Sequence, residues 1–233
     1  MTALYKNVHN LREGLIWHVR SERGFEGRLI RWALARWSRR LARAGVGQVI
    51  VPAGWSEAGG AWGNHDGIVA AALDGQWGVG EQTARGAAWT PMTDYLADMA
   101  RGLYSVRVYE PMEADAEAMR RAARNWWMHL RGRPYDFMAY LPRLAWKALV
   151  SDWADSSVAW KRRIGRTPAG WEWAGWCTED VAIAYRIRPA PAIDLLQTQN
   201  PTPLTVEQCA GQAPRRPRVR VTLRDVTAEC GLA

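Results

Sequence analysis

The sequence predicts an α+β fold in which an antiparallel sheet or a small barrel packs against helices. Residues 65–73 read as a strand and lead into Asp74-Gly75, a hairpin signal, after which residues 76–82 return as a second strand. Residues 113–130 have the apolar spacing of an amphipathic helix with acidic residues near its start. A further helix is predicted over residues 177–187, where it begins at a cysteine.

The remaining elements follow from the same two periodicities of apolar residues. In chain order, the strands are predicted at 14–19, 48–52, 103–109 and 218–223, and the helices at 27–37 and 134–150. The helix at 27–37 has an arginine-rich face, which either faces solvent or contacts an anionic surface. Residues 189–203 contain four prolines and are predicted to form a linker.

The composition indicates a folded protein without a membrane span. The chain has 233 residues with 48% hydrophobic content, which is enough for one substantial core. No apolar run approaches the roughly 18 residues that a spanning helix needs. The three cysteines form no metal-ligand spacing and cannot all pair with one another, so we expect no disulfide scaffold and no metal site. We also expect no cofactor.

The net charge of +8 favours an anionic partner such as a cell-wall polymer, a nucleic acid or a membrane surface. The dominance of arginine together with abundant alanine is also what a GC-rich genome produces. Nucleic acid is the weakest of these partners because the chain has no zinc, helix-turn-helix or RNA-binding aromatic signature. The fifteen tryptophans serve either core packing or stacking on sugars or a protein partner.

Two residues have the chemistry of a cysteine hydrolase. Cys177 is predicted to begin a helix, where unpaired amides and the helix dipole favour a thiolate, although Glu179 and Asp180 oppose it. His65 begins a strand and can project from the sheet towards that helix as a base. Taken singly, such a cysteine is commonly a buried apolar residue and such a histidine a structural one.

A third group normally orients the imidazole, and Glu81 is the candidate for this role. If Asp74 and Gly75 form the turn, Glu81 lies opposite Ile68, displaced from His65 by about three residues, roughly 10 Å along a strand. A bulge or bend would bring it within reach. Asp66 is a rival, but as the neighbour of His65 on a strand it should point to the opposite face.

Four segments, in this order, resemble the circularly permuted NlpC/P60 papain-like hydrolases of the YiiX/YaeF type. They are His65–Val69, Gly78–Glu81, Gly132–Asp136 and Trp176–Ala182. The resemblance covers roughly residues 12–188 and implies a permuted papain-like (NlpC/P60) fold, in which the histidine-bearing strands precede the cysteine-bearing helix.

The resemblance also implies roles for individual residues. Cys177 would be the nucleophile, His65 the general base and Glu81 the orienting group, while Tyr135 would bind substrate near the nucleophile. Two departures from the family pattern stand out. Residues 45–63 are longer and richer in glycine than the family's usual approach to the histidine, and Thr178 stands where serine is common.

The expected activity is that of a cysteine peptidase or amidase acting on peptidoglycan stem peptides. Residues 1–188 would form the hydrolase domain, and residues 189–233 a proline-rich linker and tail that docks into a larger assembly. The first residues lack the pattern of a secretory signal. We therefore expect synthesis in the cytoplasm and delivery by another route, as a phage virion or tail component or as an effector injected into the periplasm.

Two other functions stay open at the level of sequence. A lipid acyl hydrolase or acyltransferase of the same fold predicts an apolar cleft around His65 and Cys177. A structural assembly protein that has kept the fold predicts that replacing Cys177 leaves function intact.

Overall fold

The computed structural model describes residues 8–24, 27–32, 34–36, 62–83, 85–135, 157–161, 177–187, 203–211 and 221–232. These residues form an α+β structure, as predicted. The predicted strand at 48–52, nearly all of the predicted helix at 134–150 and most of the predicted linker at 189–203 lie outside the described residues.

Six strands form one open antiparallel sheet. They are β1 (Ile16–Ser21), β2 (His65–Ala71), β3 (Trp77–Thr83), β4 (Gly86–Pro91), β5 (Tyr104–Pro111) and β6 (Leu223–Asp225). Their order across the sheet is β4-β3-β2-β1-β5-β6. The sheet is therefore open, with β4 and β6 at its edges, and the alternative of a small barrel does not apply to the described strands. β1 and β2 lie at the centre of the sheet, between β5 and β3, and have long buried stretches.

The helices lie on both sides of this sheet. They are α1 (Met92–Ala100), α2 (Ala116–Asn125), α3 (Cys177–Arg186) and α4 (Pro203–Cys209). A π-helical turn, Trp126–Leu130, extends α2. The predicted helix at 113–130 is confirmed but begins later, since the Asp115 side chain accepts a hydrogen bond from the Ala118 amide and so caps it. Residues 27–32 and 34–36 are also helical.

The turn between β2 and β3 has three residues, not the two predicted. The Ala72 amide donates to the carbonyl of Gln76 at 2.8 Å, and the Gly75 amide donates to the carbonyl of Ala72 at 2.9 Å. Gly75 has φ +80°, the left-handed conformation that the closing position of a three-residue hairpin requires. Asp74-Gly75 thus marks the hairpin correctly, but the extra residue changes its register.

The observed register pairs Glu81 with Gly67, so the predicted pairing with Ile68 was wrong by one residue. A shift of one residue moves a strand side chain to the other face of the sheet. Glu81 therefore lies on the same face as His65, which is two residues from Gly67 along β2. The extra turn residue brings Glu81 within reach of His65, an effect that was expected from a bulge or bend.

Large aromatic side chains fill both faces of the sheet. On one face Trp17 packs edge-on against Tyr95 of α1, with ring centroids 5.6 Å apart. On the other, Trp126 lies over Gly80, where an added Cβ would come within 2.3 Å of the indole ring. Trp17 and Trp126 are fully buried, as the packing interpretation predicts, whereas Trp32 is exposed.

The described residues beyond 188 contribute to this same core. Val206 of α4 and Leu223 of β6 are buried, and β6 pairs with β5 through Leu223 and Pro111. The final strand therefore begins where the predicted one, at 218–223, was expected to end. A docking role for residues 189–233 stays a prediction. Within the described residues, no helix combines the length and the apolar character needed to cross a bilayer.

Candidate active site

The four residues singled out from the sequence meet in one place. His65, Glu81, Tyr135 and Cys177 all line a single open cleft of about 510 Å³. His65 is the first residue of β2 and Cys177 is the first residue of α3, so the cleft lies where these two elements begin. The fold thus brings together side chains that are more than a hundred residues apart in the chain.

Glu81 binds His65 directly. The distance from Glu81 Oε2 to His65 Nε2 is 2.6 Å, which replaces the loose separation expected from the sequence. Two hydroxyl groups also donate to this carboxylate: Thr90 Oγ1 to Oε1, and the phenol of Tyr95 to Oε2. Three donors therefore fix the carboxylate, and the carboxylate in turn fixes the imidazole ring.

The electrostatics keep Glu81 ionised inside the protein. Burial alone would raise its pKa, but hydrogen bonding and charge from His65, followed by the hydrogen bonds of Thr90 and Tyr95, lower the pKa below its ordinary value. Burial and the neighbouring Glu81 charge raise the pKa of Tyr95 well above its usual range. Tyr95 therefore remains a neutral donor to an ionised acceptor.

His65 lies between Glu81 and Cys177. Burial disfavours the charged imidazole, yet the charge and hydrogen bond of Cys177, followed by those of Glu81, raise the pKa of His65 well above its ordinary value. Because Nε2 is hydrogen-bonded to Glu81, Nδ1 is the nitrogen that can exchange a proton with Cys177. The arrangement favours an imidazolium held between the Glu81 carboxylate and the Cys177 sulfur.

Cys177 is buried, with 5% of its surface exposed, at the N-terminus of α3. The sequence suggested that Asp180 opposes a thiolate there. Burial raises the pKa of Asp180 to about 7, against the effect of Arg133, whose guanidinium lies 2.9 Å from the carboxylate. Asp180 is therefore largely neutralised by protonation or by pairing, and its opposition is weaker than expected.

The same ion pair positions Tyr135. Arg133 precedes it by two residues, in the Gly132–Asp136 segment, and is tied through Asp180 to the first turn of α3. The ion pair holds Arg133 beside the cysteine-bearing helix, and Tyr135 lines the cleft. This arrangement is consistent with the substrate-binding role predicted for Tyr135, which stays a prediction.

Asp66, the rival to Glu81, faces away from the cleft as its position on the strand predicts. Its carboxylate is fully buried and lies 2.5 Å from Nδ1 of His18. His18 was not predicted as part of the site, and neither were Thr90 and Tyr95 in the cleft. His18 lies within the strand predicted at 14–19, but only the pairing of β1 with β2 shows that it lies opposite Asp66.

Comparison of the chain with protein-family models, with curated proteins and with solved structures finds no match. In the ranges that the structure describes, no three or more histidine, cysteine, aspartate or glutamate side chains are arranged to hold a metal ion.

Proposed function

We propose that this protein is a cysteine hydrolase that cleaves amide bonds, with peptidoglycan stem peptides as its substrates. Cys177 is the nucleophile, His65 the general base and acid, and Glu81 the residue that orients His65. The observation that carries the proposal is the position of His65, which shares one cleft with both partners and has a pKa raised by both of them.

The reaction follows from these positions. The thiolate of Cys177 attacks the carbonyl carbon, and the backbone amide at the start of α3 stabilises the oxyanion that forms. The imidazolium of His65 donates its proton to the leaving amine, the C–N bond breaks and a thioester remains on the sulfur. Neutral His65 then takes a proton from water, which attacks the thioester and releases the acid and the thiolate.

Glu81 supports both halves of this cycle. Its bond to Nε2 leaves Nδ1 directed to the reacting groups, and its negative charge stabilises the imidazolium each time it forms. Thr90 and Tyr95 prevent the carboxylate from turning away.

We also propose that the chain has the permuted papain-like arrangement. Support comes from the order of the elements: the strands with His65 and Glu81 precede the helix that begins at Cys177. An antiparallel sheet carrying the histidine, with the cysteine helix packed beside it, is what that arrangement requires.

The lining of the cleft favours a polar substrate. Its described aliphatic residues are Val19 and Ile30, whereas hydroxyl, amide and charged side chains are more numerous. These polar members, apart from the four site residues, are Ser21, Arg23, Asn64, Gln82, Thr83, Thr90, Tyr95, Asp98 and Tyr104. A peptide offers partners for such groups, while the alternative lipid acyl chain does not.

The net charge of +8 suits an anionic cell-wall polymer as substrate. The protein would reach this polymer as part of a phage particle or as an injected effector.

The experiment is hydrolysis of purified muropeptides by the wild type and by Cys177→Ser, with the melting temperature measured for both. We expect the variant to lose turnover and to keep its melting temperature nearly unchanged. A variant that unfolds easily would instead indicate a structural cysteine. Turnover of acyl esters with no turnover of muropeptides would assign the same site to lipid substrates.

A second measurement needs no substrate. Iodoacetamide should alkylate Cys177 faster than Cys209 and Cys230, which are both buried, and His65→Ala should slow the reaction at Cys177. Peptide mass mapping assigns the modified residue. Faster modification of either C-terminal cysteine, or an unchanged rate in His65→Ala, would contradict an activated thiol at position 177.

A further inference from the structure

A second hydrogen-bonded network lies directly behind the cleft. Thr178 Oγ1 donates to Asp66 Oδ2, and Asp66 Oδ1 lies 2.5 Å from Nδ1 of His18. Each of these three residues is fully buried. The network joins the first turn of α3 to the first residues of β2 and then to β1.

Two members of this network, Thr178 and Asp66, are sequence neighbours of the two reactive residues. Thr178 follows Cys177, and Asp66 follows His65. The hydrogen bond between them therefore ties the backbone that carries the sulfur to the backbone that carries the imidazole. Because Asp66 points to the face of the sheet away from His65, it cannot touch a substrate in the cleft.

The network is anchored at its far end. Glu207 of α4 lies 3.4 Å from Nε2 of His18 and accepts a hydrogen bond from the Gly63 amide at 2.9 Å. Burial would lower the pKa of His18, but the charge and hydrogen bond of Asp66 and then those of Glu207 raise it to about 9. A protonated His18 between the two acidic side chains holds Asp66 in place as the acceptor for Thr178.

We propose that Thr178 and Asp66 are positioning residues that hold the helix of Cys177 against the strand of His65. This inference depends on the proposed function, since it assigns their effect to the Cys177–His65 pair. It also gives a reason for a hydroxyl-bearing residue at position 178, where the side chain donates to Asp66.

The test compares alkylation of Cys177 in two matched pairs of variants. Thr178→Ser and Thr178→Ala differ by the hydroxyl group, and the wild type and Thr178→Val differ by the same group with branching retained. We expect loss of the hydroxyl to slow iodoacetamide alkylation at Cys177 on the order of tenfold. Thr178→Ser should react at close to the wild-type rate. Should Thr178→Ala lose its fold, the comparison of Thr178→Val with the wild type takes its place.

Repeating Thr178→Ala in a His65→Ala background distinguishes the positioning role of Thr178 from a purely structural one. If the threonine acts through the Cys177–His65 pair, its removal has no further effect once the imidazole is gone. An equal slowing in both backgrounds overturns the inference, and so does an unchanged rate in Thr178→Ala with His65 present.

The proposed function has its own separate outcome in the same experiment. If His65→Ala alone leaves alkylation of Cys177 unchanged, there is no activated pair, and the proposed function fails together with this inference. If His65→Ala slows the reaction but Thr178→Ala does not, the proposed function stands and only the positioning role is wrong.

Discussion

Two histidines of this protein are each bonded to a carboxylate, yet their surroundings differ. His65 has 22% of its side chain exposed, lines the cleft and uses Nε2 for Glu81. His18 is fully buried, and its two nitrogens face Asp66 and Glu207. A carboxylate partner therefore does not identify a catalytic histidine. The useful criterion is a second nitrogen directed towards a cleft and a nucleophile.

The packing around His18 reinforces this difference. Trp62 and Tyr109 lie against its ring, with centroids 5.4 and 5.7 Å away. A Cβ added to Gly63 would come within 2.2 Å of Nε2, so a glycine is needed for this close approach. His18 is enclosed as part of the core, whereas His65 is at the boundary between core and solvent.

The largest expected effect is on catalysis at His65. His65→Gln keeps a polar side chain but removes the titrating group, so muropeptide turnover should fall roughly a thousandfold. The melting temperature should fall less than in His18→Gln, because His65 is partly exposed and Thr90 and Tyr95 still donate to Glu81. Turnover and thermal unfolding measured on one preparation check both parts. Unchanged turnover would contradict a catalytic role for His65 and would leave both histidines as structural residues.

The opposite pattern is expected at His18. His18→Gln leaves Asp66 and Glu207 buried without their cation, which should cost about 3–5 kcal/mol in the free energy of unfolding. Urea denaturation at neutral pH measures this loss. His129→Gln, at the end of the π-helical turn, is the matched control, with little expected change. A loss at position 18 no larger than the control would contradict a charged network in the core.

The pH dependence of the free energy of unfolding also tests the charged state of His18. The pKa of His18 is raised from 6.5 to about 9, so its stabilising effect is complete below about pH 6.5 and disappears as pH rises through 9. The shift corresponds to about 3 kcal/mol. The pKa of His65 is raised as well, so the measurement uses His65→Ala, in which His18 is the one of these two histidines that still titrates.

Urea denaturation of His65→Ala across this pH range should show the decline. Adding His18→Gln should remove most of it, because the titrating group is then absent. An equal decline in the double variant would assign the pH dependence to other groups.

The smallest effect should come from removing one of the hydrogen bonds that hold the Glu81 carboxylate. Tyr95→Phe removes one of the three donors to this carboxylate and should lower turnover by about tenfold, with a loss of roughly 1–2 kcal/mol in stability. Tyr104→Phe is the control, since Tyr104 lines the same cleft and packs against Tyr95. Equal losses in both variants would argue against a specific role for the Tyr95 phenol.

The sequence predicted the parts of the site that depend on local patterns. Cys177 at a helix start and His65 at a strand start follow from the periodicity around each residue. The position of Asp66 followed from alternation along one strand. These inferences needed no knowledge of which distant segments meet.

The rest depended on contacts that local patterns do not contain. The sequence named Glu81 correctly as a partner for His65 but placed it on the wrong face, because a three-residue turn resembles a two-residue one around Asp74-Gly75. Tyr95 lies in α1, for which no helix was predicted. Glu207 binds His18 across 189 residues of chain, and no short motif marks such a pairing.

The three-residue turn at positions 73–75 has a consequence for engineering this protein. Solvent-exposed loops usually accept deletions, and Leu73 is fully exposed. Because Ala72 and Gln76 form the last pair before the loop, deleting Leu73 would leave Asp74-Gly75 as a two-residue turn between the same partners and would keep Glu81 opposite Gly67. Inserting or deleting one residue within β2 or β3 would instead move the side chains beyond that point to the other face of the sheet. Length changes in this hairpin should therefore be confined to positions 73–75.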